Sequence, residues 1–189
     1  MATTTHLTEI FQRHLDALST DPDNAADRFR GPRGWLLTSG VSDVVAPFVT
    51  QLPADDRDLA QFAGLDALAA ASLLDLLTPD QLSDRQNDAP TLGAMLRAAV
   101  AHPGQVELHG YLVGPGRDDE RITAEGVYVY VEPDLYITAR HDDGCQCGEL
   151  WDLVQRELGV DDALRFPDEV GYRLNRWRPE ESCWSLWWD

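Results

Sequence analysis

The sequence predicts an α+β fold: a helical N-terminal portion packed on an antiparallel sheet, with the sheet made of a meander plus a C-terminal hairpin and one helix between them. Three observations predict it. Up to residue 104, apolar residues recur mostly at helical spacing. From Val106 onward, β-branched and aromatic residues alternate in runs divided by Gly/Pro/Asp turns. One amphipathic stretch, Leu150 to Leu158, separates the first strand-like runs from the last two. A chain of 189 residues is long enough for one core. A single α+β domain over residues 1–189 is therefore expected, with residues 1–104 mainly helical and 105–189 forming the sheet.

Leu7, Ile10, Phe11, His14, Leu15 and Leu18 form one apolar helical stripe, with Thr5 as N-cap and Asp21-Pro22 as the stop. His14 reads as a packed histidine, since no ligand-type residue recurs around it. Residues 20–41 read as loop, and Ser42 to Met95 as short helices. Ser42 is a cap candidate ahead of Pro47. Asp66 caps LDALAAASLLDLL, and Thr78-Pro79-Asp80-Gln81 combines a capping box with proline at the first helical position. Leu92, Met95, Leu96, Ala99 and Val100 give a further helical face that Pro103-Gly104 closes. Strands are expected over Val106–Val113, Ile122–Val131 and Leu135–Arg140, making a meander. Gly159 stops the helix after Leu158. Tyr172–Arg178 and Cys183–Trp188 then form a hairpin around Pro179 to Ser182, for about five strands in all.

The net charge is −18, from 33 acidic and 15 basic residues, and every basic residue is arginine. Such a surface disfavours direct nucleic-acid binding and anionic lipid and favours a basic protein partner. Codon-driven composition explains the same acidity at least as simply. No apolar run reaches the roughly 20 residues that span a bilayer. The N-terminal residues lack the basic-then-apolar pattern of a secretory signal. With three cysteines besides, a reduced cytoplasmic setting is expected.

Ligand-type side chains cluster once, in HDDGCQCGELW (His141 to Trp151). Zinc takes four nitrogen, sulfur or oxygen ligands, and a tight turn can supply two thiolates. Cys145 and Cys147 supply those two, His141 a third and Cys183 a fourth from the terminal hairpin, with His109 as an alternate. The site would be a structural zinc tying meander to tail, although C-x-C is less diagnostic than C-x-x-C. Thiol chemistry at Cys147, at a helix N-terminus with His141 as base, ranks below metal because Asp142, Asp143 and Glu149 crowd the segment. No P-loop, dinucleotide fingerprint, G-x-S-x-G or H-E-x-x-H pattern occurs.

Two other groups stand out. Arg28, Arg30 and Arg33 sit on a Gly/Pro-rich segment suited to an anion, and pairing with nearby aspartates is the preferred account. Trp184, Trp187 and Trp188 fall on both alternation sets of a strand and are candidate partner anchors. The expected function is a non-catalytic acidic protein of the inhibitor, immunity-type or DNA-mimic kind, with a basic partner. The alternative is a small metal- or thiol-dependent enzyme centred on Cys145, Cys147 and His141.

Overall fold

A computed structural model describes residues 2–18, 30–131, 135–138 and 140–189. Its sheet grows outward from two long strands, β3 (Val106–Val113) and β4 (Arg121–Val129), which pair antiparallel from Val106↔Val129 to Val113↔Arg121. β1 (Val49–Gln51) and β2 (Leu59–Leu65) continue from β3, and β6 (Arg178–Trp187) and β5 (Glu169–Asn175) from β4. The result is a six-stranded antiparallel sheet in the order β1-β2-β3-β4-β6-β5. Register shifts at Ala63/Leu65 and His109/Gly110 mark bulges, which bend and twist the strands that carry them.

The helices cover one face. α1 (Ala2–Leu18) buries Leu7 and Phe11 completely and half-buries Ile10, His14 and Leu15, which is the expected stripe. It begins at Ala2, so Thr5 lies inside it, and its expected stop at Asp21-Pro22 falls outside the described residues. α2 (Trp35–Thr38) and α3 (Val41–Val45) are single turns preceded by left-handed Gly34 and Gly40. Ser42 thus lies within α3 rather than capping it, and Pro47 falls in the 3₁₀ turn that follows. α4 (Ala67–Leu76) is capped by Asp66, which accepts from the amides of Leu68 and Ala69. α5 (Pro79–Leu82) has the Thr78–Gln81 capping box, and α6 (Leu92–Ala101) is capped by Thr91. α7 (Cys147–Leu158) ends at left-handed Gly159. One cluster of buried apolar side chains runs from Leu7 to Trp188. Among the described residues, no helix is long and apolar enough to cross a membrane.

Besides β1, which falls in a stretch expected to be helical, three strand assignments differ from expectation. Residues 135–138 form no strand, because β6 occupies the edge of β4 through Val129↔Trp184 to Gly126↔Trp187. Leu135 and Ile137 instead pack partly against the core. LAQFAGL, read as part of a helical region, is β2: its six pairings with β3 outweigh the poor strand propensity of Ala and Gly. Third, the hairpin reverses at Arg176-Trp177, between Asn175↔Arg178, and Pro179 to Glu181 form an irregularity within β6.

Several arginines pair with carboxylates, some near and some far along the chain. Asp119 receives bonds from Arg117 (2.8 and 2.7 Å) and from Arg121. The Arg117 hydrogen bond, against partial burial and with help from Arg121, holds its carboxyl down to about 2 from an ordinary 3.8. A depressed carboxyl contributes stability that is fully present above its unfolded value and is lost as pH falls through the folded one. Asp119→Asn is therefore expected to lower the urea midpoint modestly at neutrality, where screening discounts such half-exposed pairs, and to flatten its decline between about pH 4 and pH 2, so that the two proteins converge at low pH. An unchanged slope would show that other carboxylates govern that window. Neighbouring Glu120 behaves oppositely. Burial raises its pKa although its carboxylate accepts from the amides of Gly34 (2.6 Å) and Leu36 (3.0 Å).

Candidate metal centre

The segment before α7 folds back on itself for identifiable reasons. His141 adopts a left-handed backbone (φ 47°), uncommon for a residue with a side chain and a conformation that reverses the chain. A turn follows in which the Cys145 amide donates to the Asp142 carbonyl (2.9 Å). Asp142 steadies it, accepting from the Gly144 amide (3.2 Å) and the Tyr136 hydroxyl (3.2 Å). Gln146 fastens the turn to the preceding extended segment. Its amide donates to the Tyr136 carbonyl (2.7 Å), and its side-chain oxygen accepts from the Tyr136 amide (2.8 Å).

Because its side chain is used there, Gln146 does not cap α7, although it holds the N-cap position.

This fold brings three of the four expected ligands together. The ligand atoms of His141, Cys145 and Cys147 all lie within 4.8 Å of one another, close enough to chelate one metal ion. His141 Nδ1 is 3.3 Å from Cys145 Sγ. Tetrahedral zinc with bonds of roughly 2.0 and 2.3 Å places a nitrogen and a sulfur ligand about 3.6 Å apart. The observed spacing therefore needs only a few tenths of an ångström of adjustment. His141 is exposed and both cysteines are half-buried.

The two thiols are not equivalent. For Cys145, partial burial pushes upward, but contacts with the Thr138 backbone, the His141 ring and Cys147 outweigh it and bring the thiol down to about 7. Cys147 is pushed up, first by burial and then by its neighbour's sulfur. Cys145, not Cys147, is the more acidic thiol.

Cys183 is not a member of the cluster. It is fully buried on β6, its sulfur accepting from Asn175 Nδ2 (3.0 Å), and burial raises it to about 11. Of the four expected ligands, the cluster therefore holds His141, Cys145 and Cys147 and leaves out Cys183. Alternation along β6 placed Cys183 correctly on a strand but could not show which neighbours it faces. His109 is likewise elsewhere, on β3 beside Glu125 (3.8 Å).

The other candidates resolve as follows. Arg30 pairs with Asp84 (2.7 Å), and Arg33 with Asp118 and the Pro115 carbonyl (2.6 Å). Both are held by their own chain, as preferred from the sequence; Arg28 lies outside the described residues. Trp184 and Trp188 are buried, which removes them as partner anchors, and Trp187 is half-buried. Trp188 stacks edge-on against Trp151 of α7 at 5.5 Å and donates to the Arg165 carbonyl (3.1 Å). The helix layer thus claims one of the two alternation sets.

Neither protein-family models, curated proteins nor solved structures yield a match to this chain.

Proposed function

We propose that the protein is a small zinc-dependent enzyme whose ion is held by His141, Cys145 and Cys147, with water in the fourth position. The observation that carries this is the convergence of three soft or borderline ligand atoms within 4.8 Å in one solvent-facing turn. Two thiolates and an imidazole suit zinc rather than magnesium or calcium, which take oxygen ligands. Three protein ligands are the usual complement of catalytic zinc, whereas structural zinc is closed by four. An ion so bound supplies Lewis acidity and can bring a water pKa to about 7. The protein's part is to hold the three ligands on the Gln146-braced turn and leave one position open.

The test is a titration of the reduced protein with cobalt(II), followed by displacement with zinc. One equivalent should produce a thiolate-to-cobalt charge-transfer band that zinc abolishes. Absence of a saturable band, or a stoichiometry requiring two chains per ion, would overturn the proposal.

A second reading, an acidic protein that holds a basic partner, retains support from half-buried Trp187 and the exposed Trp177 at the hairpin turn. Steering by charge implies association that slows with salt, while Trp187→Ala mainly speeds dissociation. Salt-independent association kinetics with a basic partner would count against it.

A further inference from the structure

The sheet has a second face, turned away from the helices, that carries features the metal centre does not use. Alternation along β4 places Val127 and Val129 in the core and leaves Gly126 and Tyr128 on the opposite side. Two hollows of about 320 and 420 Å³ lie there, and Tyr128 and Arg173 line both. Neither shares a residue with the metal centre. Sizes of this order suit a small molecule.

The register explains why the face is hollow. Tyr128 pairs with Ser185, and Ser185 with Gly171, so a row crossing three strands ends in a residue without a side chain. Gly126 is obligatory for a different reason. A Cβ there would lie 2.4 Å from His109 Nε2 and 2.3 Å from the Leu186 carbonyl oxygen. Rings wall the space: Tyr128 stacks on His109 at 4.5 Å and meets Trp177 at 5.4 Å.

The two hollows differ in charge. One is lined by Glu125, Glu169 and His109 beside Trp187, so that its two carboxylates outnumber Arg173, which it shares with the other. His109 is only 8% exposed, its Nε2 has no hydrogen-bond partner, and its Nδ1 faces Glu125 at 3.8 Å. The other hollow is lined by Arg173 and Arg176 beside Trp177, with no carboxylate. In a chain of charge −18 that local reversal stands out. Arg176 has no ion pair among the described residues, and Arg173 makes only a long, exposed contact with Glu169 (3.7 Å). Exposed pairs of that kind contribute about 1 kcal/mol or less, so a ligand can compete for the guanidinium.

We propose that this cleft binds a zwitterionic small molecule of amino-acid to dipeptide size. Its carboxylate meets Arg173 and Arg176, its ammonium meets Glu125 and Glu169, and its apolar or planar part lies on Tyr128. A purely anionic ligand would leave one hollow's carboxylates facing it, and a purely cationic one would meet the two arginines. Guanidinium forks suit a carboxylate geometrically, which favours this orientation over the reverse.

L-Phenylalanine and glycyl-L-phenylalanine, with benzoate and phenethylamine as half-molecules, provide the test. Each is titrated into the full chain while tryptophan fluorescence and amide chemical shifts are read. At least one zwitterion should bind saturably, about tenfold tighter than either half-molecule, since about 1.4 kcal/mol from the added charge contact is a factor of ten. Arg176→Ala should weaken the zwitterion and benzoate but spare phenethylamine; Glu125→Gln should weaken the zwitterion and phenethylamine but spare benzoate. Arg173→Ala provides a second variant on the carboxylate side, and unchanged circular dichroism confirms folding of each. No saturable response to any of the four compounds would overturn the proposal. So would benzoate binding as tightly as the zwitterions, or affinities indifferent to all three substitutions.

Discussion

Cys145→Ser is expected to lower affinity for zinc by more than about 100-fold, beyond the upper end of what loss of an outer-shell partner costs. Cys145 is central to the cluster: it touches His141 at 3.3 Å and is coupled electrostatically to Cys147. Serine keeps the shape of the turn but offers a poor ligand to a thiophilic ion. Cys183→Ser is the informative control. Its sulfur is committed to Asn175 on β6, so zinc affinity should be unchanged although stability falls. Competition with a chromophoric chelator measures both. Equal losses from the two substitutions would restore Cys183 as a ligand, and no loss from either would remove the site altogether.

Glu107→Ala is expected to be the most damaging single change in the sheet, at about 3 kcal/mol or more by urea unfolding. Glu107 is 3% exposed, and its carboxylate serves three partners. Arg178 pairs with it at 2.9 Å, Trp177 Nε1 donates at 2.7 Å and the Tyr130 hydroxyl donates at 2.8 Å. Those partners come from the 176–178 turn and the end of β4, so one side chain on β3 fastens the terminal hairpin. Removing it leaves Trp177 Nε1 and the Tyr130 hydroxyl without their acceptor and costs Arg178 its buried partner, although Arg178 keeps Glu181 (3.0 Å) and the Gly104 carbonyl (3.1 Å). The loss therefore sits at the lower end of the roughly 3–5 kcal/mol for breaking a buried pair. Glu107→Gln keeps an acceptor for Trp177 or Tyr130 and should lose less. Equal losses for Ala and Gln would assign the whole effect to the charge pair with Arg178.

How much of this was legible in the sequence depends on the range of the interactions concerned. Most local signals read correctly: the Asp66 cap, the Thr78–Gln81 box, the Gly159 stop and the apolar stripe of α1 each involve residues within a few positions of one another, whereas Thr5 and Ser42, read as caps, lie inside their helices. The strands β3 and β4 read correctly because their composition and alternation agree. β2 did not, because LAQFAGL becomes a strand only when β3 is present to pair with it. Conversely, Leu135 to Arg140 has strand-like composition but finds the edge of β4 taken. Pro179 to Ser182 is turn-like chemistry, yet the closer reversal at Arg176-Trp177 wins, since Trp177 lies against Gly64, where a Cβ would stand 2.5 Å from its Nε1.

The His141, Cys145 and Cys147 cluster was legible to the same extent. His141, Cys145 and Cys147 lie within seven residues, so spacing alone brought them near. Assigning Cys183 required knowing which long-range neighbours β6 would meet. The cleft on the second face was invisible for that reason too: His109, Tyr128, Glu169 and Arg173 come from three strands, and no spacing rule links them.

The strand order has a consequence for the sequence of events during synthesis. β5 leaves the ribosome before β6, yet its only neighbour in the sheet is β6, which also forms the bond with β4. Until β6 emerges, β5 has nothing to pair with and β4 presents a bare edge carrying Val127 and Val129. Such an edge is a template for pairing with another chain. Among the described strands the latest in chain order is thus an interior one, and completion of this sheet waits on contacts between residues far apart in the chain, a slow class of folding event. Nascent chains stalled before Arg178 would accordingly be the species most prone to self-association.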